Sequence, residues 1–218
     1  MDEKLFHRFQ YLTQDLDTVS HEQLTLEACQ AGVQWLQLRM KNKPEDESLQ
    51  IAKKVKNICQ SYGCRLIIND HVSLALEVNA GGVHLGKTDM SIGQARDILG
   101  KDKIIGGTAN TFEEVQTLAK QEANYIGVGP FRFTATKQNL SRVLGLKGYQ
   151  AIMEKCKVES IHIPIIAIGG ITLEDVEDIR QTGVHGIAVS SAINLSADRT
   201  KSAKLFLQAL QKRQVFIQ

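Results

Sequence analysis

The sequence predicts an α/β fold, a closed (β/α)₈ barrel, and three observations carry that expectation. Eight short β-like runs recur along the 218 residues. Each is followed by a stretch whose apolar positions keep helical spacing. Strict alternation of strand and helix requires parallel strands joined by right-handed crossovers. Eight such units close on themselves, whereas a doubly wound open sheet more often stops at about five to seven strands.

The first run is Phe9 to Thr13 (FQYLT), and the helical pattern after it ends at Gly32. The second, Trp35 to Met40 (WLQLRM), leads into PEDESLQIAKKVKNICQSYG, where Leu49, Ala52, Val55 and Cys59 keep one helical face. Gly63 ends that helix, as Gly32 and Gly183 end theirs, because a left-handed C-terminal cap favours glycine. RLIIN (Arg65 to Asn69) and GVHLG (Gly82 to Gly86) are the third and fourth strands. IIGGTA (Ile104 to Ala109) is the fifth, and Thr111 before Phe-Glu-Glu caps the helix that follows. YIGVGPF (Tyr125 to Phe131), PIIAIG (Pro164 to Gly169) and GIAVSS (Gly186 to Ser191) complete the set. Thr172 before Leu-Glu-Asp caps the helix after the seventh strand.

A hydrophobic fraction of 43% supplies a core for one domain, and no linker or charge block divides residues 1–218. The net charge of +2, with basic residues spread along the chain, gives no reason to expect nucleic acid. Four cysteines form no C-x-x-C pair, so reduced thiols are expected, with Cys29, Cys59 and Cys156 acting as small apolar residues on helices. No apolar run reaches membrane-spanning length, and the charged MDEKLFHRFQ start lacks the core of a signal peptide. The expected location is the cytoplasm, with no membrane partner. A homodimer is compatible with such a chain, whose sequence leaves the oligomeric state open.

In this architecture chemistry sits at the C-terminal ends of the strands. Period two places Trp35, Gln37, Arg39 and Lys41 on the barrel side of the second strand, with Leu36, Leu38 and Met40 against the helices. A glutamine and two cations on the inner face point to an anionic ligand such as a pyrophosphate; snorkelling cations at a rim are the plainer account. Asp70 and Asp89 lie just beyond the third and fourth strands. They suit either a Mg²⁺ bridging a pyrophosphate or the N-caps of the next helices. Gly169-Gly170 and Ser190-Ser191 follow the last two strands, where backbone N–H groups commonly hold a phosphate, although paired glycines also serve tight turns. Phe131 to Leu144 reads as a mobile lid carrying Thr134, Thr136 and Lys137, or as a plain surface loop. His84 faces inward and reads as a hydrogen-bonded core residue; the other histidines have no recognisable partners.

Taken in order, YLTQD, GVQWLQLRMK, LIIND, GGVHLGKTD, IIGGTANT, YIGVGPFRFTATK, IPIIAIGGIT and GIAVSSAI resemble the thiamine phosphate synthase family of TIM barrels. The resemblance runs from about Tyr11 to Ile193. It implies a Mg²⁺-dependent transferase joining a pyrimidine pyrophosphate to a thiazole phosphate. It assigns Gln37, Arg39 and Lys41 to the pyrimidine pyrophosphate, Asn69 to the pyrimidine ring, and Asp70 and Asp89 to the metal. Thr108 takes the place of a serine on the pyrophosphate side, and Lys137 reaches the pyrophosphate from the lid. Thr134 and Thr136 border the pocket, while Gly170, Ser190 and Ser191 receive the thiazole phosphate. Met40, where an acid is usual, Asn110 in place of a histidine, and Arg132-Phe133 in place of an apolar, proline-containing turn depart from the family pattern. A thiazole tautomerase with the same barrel, or a non-catalytic barrel that binds thiamine phosphates, are the competing readings. The set of cations and carboxylates favours the synthase.

Overall fold

Eight parallel strands close into a barrel in the order β1-β2-β3-β4-β5-β6-β7-β8. The computed structural model describes residues 7–41, 43–133 and 142–211. The strands are β1 (Phe9–Leu12), β2 (Trp35–Leu38), β3 (Arg65–Asn69), β4 (Gly82–Leu85), β5 (Ile104–Ala109), β6 (Tyr125–Val128), β7 (Ile165–Ile168) and β8 (Gly186–Val189). Register across the closing seam pairs Phe9 with Ile187 and Tyr11 with Val189. Between the strands run α1 (His21–Gln30), α2 (Glu45–Ser61), α3 (Val72–Glu77), α4 (Ile92–Leu99), α5 (Phe112–Lys120) and α6 (Gly145–Val158). A 3₁₀ turn (Leu173–Asp175) leads into α7 (Val176–Gln181), and α8 (Ser191–Asn194) and α9 (Arg199–Gln211) follow β8.

Six of the eight strands are shorter than their apolar runs suggest. β2 stops at Leu38 and β6 at Val128, so Met40 and Phe131 lie in loops, yet both are buried. Burial persists past the last ladder hydrogen bond because the mouth loops fold back over the helix layer. Hydrophobic runs therefore overstate strand length at this end.

The core has two shells. Inside the barrel, Leu12, Trp35, Ile67, Ile104, Tyr125, Ile166 and Ala188 pack together, with Trp35 edge-on to Tyr125 at 4.8 Å between centroids. The aromatic edge-to-face contact lets two large rings fill a lumen that eight strands leave just wide enough for side chains. Gly106 makes room there: a Cβ at that position would stand 2.2 Å from the Tyr125 ring and 2.7 Å from His84 Nδ1. A larger shell joins the outward faces of the strands to the helices, including Leu36, Leu38, Ile68, Val83 and Ile105.

Caps fix where the helices begin and end. Ser91 with Gln94, and Thr111 with Glu114, form reciprocal capping boxes. Helices α1 and α2 both end in Schellman motifs. In α1, Val33 N–H bonds to Ala28 O (3.1 Å) and Gly32 N–H to Cys29 O (3.0 Å). In α2, Cys64 N–H bonds to Cys59 O (2.8 Å) and Gly63 N–H to Gln60 O (3.3 Å). Gly32, Gly63 and Gly183 all have positive φ, as the cap reading requires. Among the described residues, no helix is long and apolar enough to cross a membrane.

Candidate active site

The C-terminal strand ends gather a polar cluster on one side of the mouth. Gln37 and Asn69 come from adjacent strands, and Gln37 Nε2 donates to Asn69 Oδ1 (2.7 Å). Asn69 is only 7% exposed, and its Nδ2 has no hydrogen-bond partner among the described residues. A buried donor left open costs roughly 1–3 kcal/mol, so this amide is a group that a ligand would satisfy.

Beyond β2 the chain presents Arg39 and Lys41, and the β1–α1 loop braces them. Arg39 N–H donates to Thr13 Oγ1 (3.1 Å), and Lys41 N–H donates to Asp15 Oδ2 (2.9 Å). His21 bonds both acceptors, with Nδ1 to Thr13 Oγ1 (2.9 Å) and Nε2 to Asp15 Oδ1 (3.0 Å). Burial alone would raise the Asp15 pKa, but the Lys41 N–H and His21 outweigh it and hold the carboxyl below its ordinary value. Thr13, Asp15 and His21 went unnoticed as site residues in the sequence. A hydroxyl, a carboxylate and an imidazole joined across a loop have no fixed spacing, and only the YLTQD segment hinted at them. Burial presses the Arg39 pKa down, and the nearby Asp70 and Asp15 charges oppose that.

Asp70 and Asp89 meet at this side of the mouth, and neither is an N-cap. The residue capping α3 is His71, and the one capping α4 is Ser91. Asp70 adopts φ +65°, a left-handed conformation uncommon for a residue other than glycine. Its carboxylate pairs with Lys41 Nζ. Asp89 Oδ2 accepts from Gly86 N–H (2.6 Å). Desolvation, and then a hydrogen bond shared with the Asp70 carboxyl, raise the Asp89 pKa above its ordinary value. Two carboxylates crowded together in this way favour a cation between them.

Thr108, at the end of β5, belongs to a chain that crosses the lumen. Its Oγ1 bonds His84 Nε2 (2.9 Å), His84 Nδ1 bonds Tyr125 OH (2.9 Å), and Gln10 Nε2 donates to the same hydroxyl (3.1 Å). His84 is thus a hydrogen-bonded interior residue, one that orients Thr108.

Across the mouth lie the loops after β7 and β8. Gly170 has φ +70°, and a Cβ there would stand 2.5 Å from Arg132 Cγ. Arg132 grips Asp175 with both terminal nitrogens (2.9 and 2.7 Å) and donates to Gly170 O (3.2 Å). This clamp explains how Arg132 fits a turn where an apolar residue was expected: its charge is met by an acid of the 3₁₀ turn. Asn110, the other departure, donates from Nδ2 to Gly129 O and so ties the ends of β5 and β6 together. Ser190 Oγ donates to Gln14 Oε1 (3.2 Å) and accepts from Asn194 Nδ2 (3.0 Å), which also donates to Leu12 O (2.9 Å). Ser191 opens α8, whose first amides have no carbonyl partner within the helix. Thr134, Thr136 and Lys137 lie outside the described residues.

The mouth therefore has two halves, a charged one over β2–β4 and a backbone-rich one over β7–β8. The family model described as thiamine monophosphate synthase matches residues 11–193, which include both. The thiamine-phosphate synthase of Flavobacterium johnsoniae is 46% identical over 209 residues, covering 96% of this chain and 97% of that protein. That of Phocaeicola vulgatus is 49% identical over 195 residues, 89% of this chain and 94% of the other. Among solved structures, thiamine phosphate pyrophosphorylase from Pyrococcus furiosus superposes with a TM-score of 0.83 at 33% identity, over 93% of this chain and 95% of that one. A 3-hexulose-6-phosphate synthase at 16% identity and a TM-score of 0.64 shares the barrel alone. With a matched span that runs from β1 into α8 and takes in both halves of the mouth, the chain belongs to the thiamine monophosphate synthase family.

Proposed function

We propose that this chain is a Mg²⁺-dependent transferase that makes thiamine phosphate. Its substrates are 4-amino-2-methyl-5-hydroxymethylpyrimidine pyrophosphate and 4-methyl-5-hydroxyethylthiazole phosphate or its carboxylate. The observation that carries this reading is the open, buried Nδ2 of Asn69, set beside Arg39, Lys41 and two carboxylates. A heteroaromatic ring with acceptor nitrogens suits the amide, and its pyrophosphate suits the cations.

The oxygen donors Asp70 and Asp89 fit Mg²⁺, which typically takes one or two carboxylates and completes its shell from phosphate oxygens and water. Their crowding supports the fit, as does the Lys41 ammonium already drawn to Asp70. When bound, the ion would neutralise charge on the departing pyrophosphate. Gln37, Arg39 and Lys41 hold the pyrophosphate, and Lys137 adds a further cation from the 131–144 connection. Thr108, oriented by His84, donates to the same group. The C–O bond to pyrophosphate breaks with its electron pair on oxygen. The resulting pyrimidinylmethyl cation is stabilised by its ring amino group, and the thiazole nitrogen then supplies the pair for the new C–N bond. No proton moves in that step, so preorganised positive charge is the main catalytic device. Thr134 and Thr136 border the pocket, and Gly170, Ser190 and Ser191 hold the thiazole phosphate on backbone N–H groups. A tautomerase would need a proton-transferring group, and the amide of Asn110 supplies none. Four free, buried cysteines suit a reducing compartment, which supports a cytoplasmic location.

Purified protein mixed with both substrates and Mg²⁺ should form thiamine phosphate, read by fluorescence after oxidation. EDTA should abolish turnover and added Mg²⁺ restore it. Undiminished turnover in chelator would remove the metal assignment, and no product under any condition would remove the synthase reading.

A further inference from the structure

At the opposite end of the barrel, the two Schellman caps described above bring three cysteines together. In α2, Cys59 is the third residue from the end, and Cys64 is the second residue past the cap. That motif regularly sets these two side chains in contact. Cys29 holds the equivalent end of α1, which packs beside α2. All three are buried, and their sulfurs lie within 4.8 Å of one another. Cys64 directly precedes β3, whereas Asn69 ends it and Asp70 follows, so the five-residue strand, about 16 Å long, separates this cluster from the mouth.

The geometry points to a second site: we propose that Cys29, Cys59 and Cys64 form a buried three-thiolate centre for a soft monovalent d¹⁰ cation, Cu(I). Sulfurs placed trigonally around an ion at about 2.3 Å stand about 4.0 Å apart, so the observed spacing needs to close by less than an ångström. Among the described residues, no histidine, carboxylate or fourth cysteine joins the group. Zn²⁺ ordinarily takes four ligands in structural sites, while soft thiolates in a three-ligand set suit Cu(I). A disulfide would use two sulfurs and leave the third unexplained. Binding forms three Cu–S bonds, and each S–H bond broken, up to three, sends one proton to solvent, with no change of oxidation state. The excess negative charge lies near half-buried Lys56, one turn before Cys59.

The test titrates the reduced full-length protein anaerobically with Cu(I) held by a competing chelator, alongside a Zn²⁺ titration. The expected result is one Cu(I) per chain, an ultraviolet thiolate-to-copper band, and proton release. Cys156→Ser should bind as the parent does, and Cys29→Ala, Cys59→Ala and Cys64→Ala should each lose the band. X-ray absorption of the loaded parent, which does not depend on any variant folding, should give three sulfur neighbours at one distance. No uptake against the chelator, two-sulfur coordination, tighter binding of Zn²⁺ than of Cu(I), or uptake that survives Cys59→Ala would each overturn the proposal.

Discussion

Asn69 carries two roles in one side chain. Its Oδ1 fixes Gln37, and its Nδ2 stands desolvated with no partner among the described residues. That open donor is a cost to the free protein, which binding would recover. Replacing Asn69 with Ala should therefore weaken a non-reactive pyrimidine pyrophosphate analogue by about 1–3 kcal/mol. Stability should fall by no more than about 1–3 kcal/mol, since removing one unsatisfied group partly offsets the loss of the acceptor of the buried Gln37 Nε2. Calorimetry with the analogue and a denaturant titration measure the two effects. A large loss of stability with unaltered binding would make Asn69 a structural residue only. Alternation along β2 and LIIND at β3 made Gln37, Arg39, Lys41, Asn69 and Asp70 visible in the sequence. The left-handed turn at Asp70, which frees its carboxylate from the capping role, was not visible, because a non-glycine positive φ leaves no compositional mark.

Among the elements, α9 closes the ring by packing on α1. Arg199 Nε donates to Glu27 Oε2 (2.5 Å) and its terminal nitrogen to Oε1 (3.1 Å), forming a two-point bridge between them. The Arg199 hydrogen bonds hold the Glu27 pKa below its ordinary 4.5, against a smaller opposing effect of burial. A carboxyl depressed in the folded state stabilises above its unfolded pKa and ceases to do so as pH falls through the folded one. Glu27→Gln should thus lower the melting temperature at neutral pH, and its difference from the parent should shrink once pH drops below about 4.5. A difference independent of pH would exclude the charge as its source. Neither partner is legible in the sequence, since the two lie 172 positions apart. The elements themselves were legible through glycine caps at Gly32, Gly63 and Gly183 and threonine caps at Thr111 and Thr172. Cys59 was correctly placed on a buried helical face. Its meeting with Cys29 and Cys64 depends on how α1 and α2 dock, which periodicity does not encode.

For the whole molecule, barrel closure sets two different polar surfaces across one mouth, which the proposed function reads as two anion sites. In that reading side-chain cations attract over β2–β4, and backbone amides near the Arg132–Asp175 clamp do so over β7–β8. The β1–α1 loop links the two, bracing Arg39 on one side and meeting Ser190 through Gln14 on the other. Arg39→Ala should weaken the pyrimidine pyrophosphate analogue by about 2–4 kcal/mol, the range for a desolvated charge-assisted contact. Thiazole phosphate affinity should stay nearly unchanged, because in the proposed reading its phosphate is held by backbone amides after β7 and β8. Gly170→Val should act in reverse. Its φ of +70° strains any β-branched residue, and the new Cβ would collide with Arg132 Cγ and crowd the backbone where a monophosphate approaches. Arg132→Ala, combined with Gly170→Val, separates those causes: binding restored by the second change would assign the loss to the displaced clamp, and binding still absent would assign it to the backbone. Calorimetry with each ligand alone reads all four proteins. Equal loss of both ligands in both single variants would mean one shared phosphate site, and the two-sided mouth would then be wrong.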